Sequence, residues 1–145
     1  MMILEGKEML ELIPQRPPMV MIDRLEDHGE DTTVTSLLVS PDNLFFEEGK
    51  LKEPALVEAI AQTAAARVGY ICKGLNKIPP IGYIAAVSRL KIYGLPDEGD
   101  RIFMEVKVES QVLQFTLIKG KVTCGERLLA ECEMKIFLNE TQNPS

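Results

Sequence analysis

The chain has 145 residues, of which 46% are hydrophobic, so it is about one domain long and can bury one core. Its net charge of −6, without a basic run or a tryptophan, excludes the basic surface typical of nucleic-acid-binding domains. The single histidine and the three cysteines, which lack CxxC spacing, indicate neither a disulfide framework nor a metal site. We expect no metal and no bound cofactor.

The N-terminal segment argues against a secretory signal. Glu5 and Glu8 lie where a signal peptide would need basic and then apolar residues, so we expect a cytoplasmic protein. The apolar run 53–73 contains acidic, amide and basic side chains, which would make a membrane span costly. We therefore predict no membrane partner, one domain over residues 1–139 and a disordered polar tail over 140–145.

The first elements are a short helix and a pair of strands. Residues 5–13 place apolar side chains on one helical side, and Pro14 ends that helix. Two β-like runs follow, 20–27 and 32–39, divided by the sequence HGED, in which Gly29 suits a hairpin turn. These runs predict the first antiparallel pair.

A long helix comes next, over residues 54–73. Pro54 suits its first turn, where a backbone N–H would be unpaired, and Gly74 suits its C-cap. The helix is rich in alanine and lacks a broad polar face, which indicates that other elements cover it on several sides.

Only strand-like segments follow the helix, at 82–93, 101–109, 114–123 and 128–138. The segments 101–109 and 128–138 alternate apolar and charged residues, and in the latter Leu128, Ala130, Cys132, Met134, Ile136 and Leu138 are predicted to share the inner face. A single apolar helix followed by four antiparallel strands predicts an α+β hotdog fold, in which a curved antiparallel sheet wraps a long central helix.

The long helix also carries the candidate catalytic residues. Glu58 and Gln62 are four residues apart, so they share a face on which the amide can donate a hydrogen bond to the carboxylate. A carboxylate near a helix N-terminus can act as a proton donor or acceptor, but it can equally be an ordinary first-turn acid that faces solvent.

Two other residues were considered for the site. His28 lies in the hairpin turn between acidic neighbours, and we predict a solvated turn residue without a catalytic role. Gly82 marks either a close backbone approach to a ligand or, more commonly, the plain entry to a strand.

Two motifs in the right order resemble the 3-hydroxyacyl-acyl-carrier-protein dehydratases of fatty acid synthesis. LIPQRPPMVMIDRLED (12–27) is similar to that family's first conserved segment, and PALVEAIAQTAA (54–65) is similar to its helix signature. The stretch 84–108 is a weaker match. The polar segment NLFFEEGKLKEP (43–54) looks closer to predicted dehydratases of aryl-polyene-type clusters.

The resemblance implies a hotdog dimer that takes acyl chains on a phosphopantetheine arm, with the family's helix acid at Glu58 and the following amide at Gln62. The segment that precedes and opens the helix, together with Gly82, contributes the predicted substrate-binding residues Asn43, Phe46, Pro54 and Gly82. The family's catalytic histidine before the helix is absent, and Gln15 replaces the histidine of the first motif.

Three functions stay open. In the first, a dehydratase-like enzyme uses Glu58 both to remove and to return the proton, with Asn43 or a water assisting. In the second, the chain is a non-catalytic acyl-thioester-binding subunit of an active dehydratase, and the third is an acyl thioesterase. The expected partners are an acyl carrier protein or acyl-CoA, met by a basic rim drawn from Arg16, Arg67, Lys73, Lys77, Arg89 and Lys91, and a second copy in a homodimer or a higher even oligomer.

Overall fold

The structure is a computed structural model that describes residues 2–139; the tail predicted over 140–145 lies outside the described residues. The helices are α1 (Gly6–Leu10) and α2 (Glu53–Gly74). The strands are β1 (Leu4–Glu5), β2 (Arg24–His28), β3 (Thr32–Leu38), β4 (Phe46–Glu47), β5 (Lys50–Leu51), β6 (Ile81–Ile92), β7 (Arg101–Val112), β8 (Phe115–Cys124) and β9 (Arg127–Asn139).

Seven of these strands form one antiparallel sheet in the order β1-β2-β3-β7-β8-β9-β6, while β4 and β5 pair separately. Alternation in β7 and β8 turns every second residue inwards, so that Ile102, Met104 and Val106 are buried. Helix α2 packs against β3, β6, β7 and β8. The sheet thus wraps the long helix, which confirms the predicted α+β hotdog fold.

Two glycines allow α2 to make close contacts with neighbouring parts of the chain. A Cβ on Gly69 of α2 would lie 2.1 Å from the carbonyl oxygen of Leu12, and one on Gly120 of β8 would lie 2.3 Å from Cγ2 of Ile60. Real Cβ atoms do not approach other atoms so closely. Gly69 therefore permits the helix to pack directly on the loop before β2, and Gly120 permits the sheet to pack directly on the helix.

The first strand of the hairpin is shorter than predicted. It begins at Arg24 rather than at residue 20 because the backbone of Met19 and Met21 hydrogen-bonds to the Gln62 side chain of α2 instead of to a neighbouring strand. Helix α1 is also shorter than the predicted 5–13, and the short strands β1, β4 and β5 were not predicted.

A register shift explains a wrong assignment in the last strand. Ala130 pairs with Val122 but Leu128 pairs with Thr123, so one extra residue is accommodated between them. This bulge turns Leu129 inwards, where it is 1% exposed, and leaves Leu128 38% exposed. Leu128 therefore does not share the inner face with Ala130 and Cys132, as strict alternation predicted.

The end of α2 also differs from the prediction. Gly74 is the last helical residue, and the residue with a left-handed backbone is Asn76, with a φ of 56°. Asparagine tolerates this conformation better than most residues do. Gly74 therefore does not serve as a left-handed C-cap.

Candidate functional site

A groove of about 630 Å³ runs between α2 and the inner face of the sheet. One stripe of α2 lines it, formed by residues three and four apart: Glu58, Ala61, Ala65, Val68 and Ile71. Apolar side chains from the sheet form its floor: Val106, Ile118 and Ile136. Because the helical side chains nearest Glu58 are alanines, the groove stays open along the helix and could accept an extended apolar chain.

Glu58 is the half-buried carboxylate at one end of this stripe, and Gln62 holds it. Gln62 Nε2 donates to Glu58 Oε2 at 2.9 Å and to the Met19 carbonyl oxygen at 2.8 Å. Gln62 Oε1 accepts from the Met21 N–H at 2.7 Å. Since that N–H can only donate, the orientation of the amide is determined by its partners.

Gln62 is 0% exposed, and both ends of its amide are engaged. In the structure it holds the Glu58 carboxylate in place and is not among the described residues that line the groove. The hydrogen bond expected from the four-residue spacing is confirmed, whereas its two bonds to the loop before β2 were not foreseen.

Of the four predicted substrate-binding residues, one lines the groove. Gly82 lines the groove with Glu58, whereas Asn43, Phe46 and Pro54 are not among the described residues that line it. Asn43 Oδ1 instead accepts from the Ser40 N–H at 2.8 Å and closes a turn. Phe46 lies in β4 beside the core, and Pro54 is exposed in the first turn of α2.

Arg67 connects α2 to the β2–β3 hairpin. Its guanidinium donates to the carbonyl oxygens of Gly29, at 3.1 Å, and Glu30, and to Thr33 Oγ1 at 3.0 Å. Burial lowers the pKa of Arg67, and the Asp31 carboxylate partly opposes this. Sequence reasoning missed this role, although an arginine in an apolar helix signals that specific partners are needed.

His28 is more enclosed than the solvated turn residue that was predicted. Its ring lies 4.8 Å from the ring of Tyr70, and its Nδ1 is 3.1 Å from Thr33 Oγ1. Burial and the Arg67 charge lower its pKa, while Asp27 raises it. His28 is not among the described residues that line the groove, so no histidine of this chain stands beside Glu58.

The charged residues around the groove are mostly acidic. Its lining includes Glu11, Glu30, Asp31 and Glu58, with Arg67 as the cation among the described lining residues. Several cations of the predicted basic rim have other partners: Arg16 donates to backbone carbonyl oxygens, Lys73 lies 3.7 Å from Glu11, and Arg89 lies 3.3 Å from Glu133. Among the described residues, Arg67 is therefore the one predicted rim cation that lines the groove, and Lys73 reaches the groove through its ion pair with Glu11.

Strand β6 forms one edge of the seven-stranded sheet, and the two-residue strand β1 forms the other. Every residue from Gly82 to Lys91 is exposed, including the large apolar side chains Tyr83, Ile84, Val87 and Leu90. The first residues of the same strand line the groove. An unpaired apolar edge of this length offers a template for another strand, and anything that covered it would also border the groove.

Across residues 2–139, no three histidine, cysteine or acidic side chains lie together in a way that could hold a metal ion. Over the same residues, no helix has the length and apolar character needed to cross a membrane.

Comparisons with known proteins relate this chain to dehydratases. The 3-hydroxyacyl-[acyl-carrier-protein] dehydratase FabZ of Caldanaerobacter subterraneus subsp. tengcongensis is 23% identical over 143 residues, covering 94% of this chain and 99% of the relative. FabZ of Clostridium tetani is 27% identical over 142 residues, covering 91% of this chain and 95% of the relative.

Solved structures share the fold. The dehydratase heterocomplex ApeI:P from Xenorhabdus doucetiae contains a chain that matches with a TM-score of 0.84 at 15% identity, covering 96% of this chain and 93% of that one. A hypothetical thioesterase from Streptococcus pneumoniae, solved with coenzyme A, matches with a TM-score of 0.64 at 15% identity, covering 79% of this chain and 84% of that one.

The ApeP-like family, described as ApeP dehydratase, matches residues 7–144, which is nearly the whole chain. The helix signature around Glu58 and Gln62 and the hotdog fold agree with this match. The chain belongs to the ApeP-like dehydratase family.

Proposed function

We propose that this chain acts on 3-hydroxyacyl thioesters and eliminates water from them, with Glu58 as the catalytic residue. The observation that carries the proposal is that the Glu58 carboxylate, oriented by Gln62, lines an apolar groove wide enough for an acyl chain. The family and its FabZ relatives support the reaction class. The acyl chain would lie along the alanine-rich stripe of α2, with the thioester near Glu58.

One carboxylate would carry both proton transfers. Glu58 takes the proton from C2, the C–H electrons form the C2–C3 double bond, and the C3–O bond breaks. Glu58 then returns the proton to the departing hydroxide, so water leaves and the carboxylate is regenerated. Because Gln62 occupies Oε2, the other oxygen of Glu58 is the one available for transfer.

The substrate would be carried on a phosphopantetheine arm, as part of acyl-CoA or of an acyl carrier protein. The acidic residues at the groove do not favour an acidic carrier protein at that point, so such a carrier would dock away from Glu11, Glu30 and Asp31. A second subunit would pair along β6 and close the groove, and a homodimer is the simplest such assembly.

A second candidate function has its own supporting observation. No histidine stands beside Glu58, and the solved relative from Xenorhabdus doucetiae is part of a dehydratase heterocomplex. The chain would then be a thioester-binding subunit that pairs along β6 with a different hotdog chain and contributes no proton transfer. The thioesterase alternative is supported only by the fold that this chain shares with the hypothetical thioesterase.

The reverse reaction tests catalysis directly. Hydration of a crotonyl-pantetheine thioester is followed by loss of the enoyl absorbance, with thiol release measured in parallel to detect a thioesterase. Glu58→Gln and Glu58→Ala should each lower turnover by about 10²–10⁴-fold, which is the usual contribution of a proton-transferring residue. Glu53→Gln, at an exposed acid in the first turn of the same helix, should leave turnover unchanged.

The outcomes separate the candidates. Turnover that survives in folded Glu58→Ala would overturn the assigned role of Glu58. An inactive wild type that still binds the thioester would support the binding-subunit function, and thiol release without hydration would support a thioesterase.

A further inference from the structure

The loop before β2 presents one polar atom whose hydrogen-bonding capacity is unused. Gln15 Oε1 is buried and has no hydrogen-bond partner among the described residues. Buried polar side-chain atoms in native proteins nearly always have partners, because an unpaired one loses its hydrogen bonds to water without replacement. Among the described residues, Gln15 Oε1 is the one buried side-chain polar atom without a hydrogen-bond partner. This exception needs an explanation.

Gln15 lies at the groove. Its side chain lines the same cavity as Glu58, beside Leu12, Ile13 and Pro14. The terminal torsion of a glutamine side chain has a broad energy minimum, so a small rotation of the carboxamide would turn the oxygen towards a molecule in the groove. A carbonyl oxygen accepts hydrogen bonds only, so the ligand group that it meets must be a donor.

The loop that carries Gln15 is tied to α2 on both sides. Before Gln15, the backbone of Leu12 packs directly on Gly69. After it, Met19 and Met21 are hydrogen-bonded to Gln62. The loop therefore runs antiparallel to the helix. Measured along the helix axis, Gln15 lies between Gln62 and Gly69.

Arg16 makes the loop still more rigid, because its guanidinium donates to the carbonyl oxygens of Ile13 and Gln15, each at 2.7 Å. Preorganisation of this kind lowers the cost of ordering a recognition group when the ligand binds. At 1.5 Å per helical residue, the level of Gln15 is on the order of 10 Å from Glu58 along the helix axis. Gln15 is thus too far from Glu58 to meet the reacting carbons.

We propose that Gln15 is a specificity residue whose side-chain carbonyl oxygen accepts a hydrogen bond from a neutral N–H or O–H group of the bound thioester, about 10 Å from Glu58. With the acyl chain along α2, as proposed above, the donor is a hydroxyl on that chain. In the reversed orientation of the ligand, the donor is an N–H or O–H group of the pantetheine arm. The proposal rests on the proposed thioester site, but not on its catalysis.

Binding of unreactive thioethers tests the proposal without turnover. Three octyl thioethers are compared by titration calorimetry: one on pantetheine, one on an arm with both amide nitrogens and both hydroxyls methylated, and one on the fully methylated arm with a hydroxyl at the end of the octyl chain. The proteins are wild type, Gln15→Leu, Gln15→Met and Gln114→Leu. Gln114 is the matched control because it is an exposed glutamine that is not among the described residues lining the groove.

Gln15→Leu and Gln15→Met should weaken binding of a donor-bearing thioether by about 2- to 10-fold, the value of one net hydrogen bond, and leave the donor-free thioether unchanged. If the Gln15 substitutions weaken binding of the pantetheine thioether alone, the donor is on the arm. If they weaken binding of the thioether with the hydroxylated chain, the donor is on the acyl chain. Gln114→Leu should leave the binding of all three thioethers unchanged.

Equal losses for all three thioethers, or no loss for any of them, would overturn the proposal. Both substitutions remove an unpaired buried oxygen, so their melting temperatures should equal or exceed that of the wild type. The titrations also separate the two proposals. Donor-dependent binding in a protein without hydratase activity would retain the role of Gln15 and overturn the catalytic function, and turnover with donor-independent binding would do the reverse.

Discussion

Gln62 Nε2 donates to Glu58 Oε2 at 2.9 Å, and the same amide holds the backbone of the loop before β2 on both sides of Val20. The position of the candidate catalytic carboxylate is thereby coupled to the packing of a segment that lies about forty residues earlier in the chain. This coupling explains why a buried amide is found in an otherwise apolar helix.

Replacement of Gln62 by leucine should be strongly destabilising. The substitution would leave the Met21 N–H and the Met19 carbonyl oxygen without their partner, so we expect the free energy of unfolding to fall by about 2–4 kcal/mol. Urea denaturation measures the loss. Gln114→Leu, at an exposed position, is the control, and a loss no larger than that of the control would mean that water replaces the amide.

Gly69→Ala should destabilise the fold through a backbone clash. The added methyl would lie 2.1 Å from the Leu12 carbonyl oxygen, so the loop or the helix must shift, at a cost of about 1–3 kcal/mol or more. Gly74→Ala in the same helix meets nothing within 4 Å and should raise stability by about 0.5–1 kcal/mol. Thermal melts that show equal effects for the two variants would contradict the close contact.

Protonation of His28 should destabilise the folded chain. Its pKa is lower in the fold than its ordinary value of 6.5, chiefly because of burial against Tyr70, so the unfolded chain binds the proton more tightly. The contribution of the neutral ring is fully present above about pH 6.5 and is lost as the pH falls through the folded pKa.

Melting temperatures compared from about pH 8 to about pH 5 test this effect. The wild type should lose more stability over this range than His28→Gln does, because the variant has no imidazole to protonate. Parallel pH curves for the two proteins would show that His28 does not contribute to acid sensitivity.

The open edge of β6 should mediate self-association. Ile84 is 43% exposed on this strand, and a glutamate there would bring like charges together if two copies of the strand paired, weakening association by about 100-fold or more. Light scattering should find a dimer or a larger even oligomer for the wild type and a monomer for Ile84→Glu. Leu113→Glu, at a turn residue that is 95% exposed, should leave the mass unchanged. An unaltered mass for Ile84→Glu would place the interface elsewhere.

Local patterns were sufficient for most of the secondary structure. The period of two in β7 and β9 and the apolar run of α2 predicted these elements to within a few residues, since each signal is repeated several times. The errors arose where one residue departs from the local rule. Leu129 could not be assigned to the inner face because a single-residue bulge reverses the alternation, and nothing in the sequence of β9 marks the bulge.

The candidate site likewise has one part that the sequence predicted and another that only the tertiary structure shows. The sequence by itself determined that Glu58 and Gln62 share a helix face, because four residues make about one helical turn. Only the tertiary structure decided what meets that face: Met19 and Met21 at Gln62, the hairpin of His28 at Arg67, and Gln15 at the groove. These contacts join residues that are far apart in the chain, and local sequence spacing carries no information about such contacts. The physical reason is close tertiary packing: Gly69 allows the loop of Leu12 to lie directly on the helix, and Arg67 holds the hairpin of His28 through hydrogen bonds to its backbone.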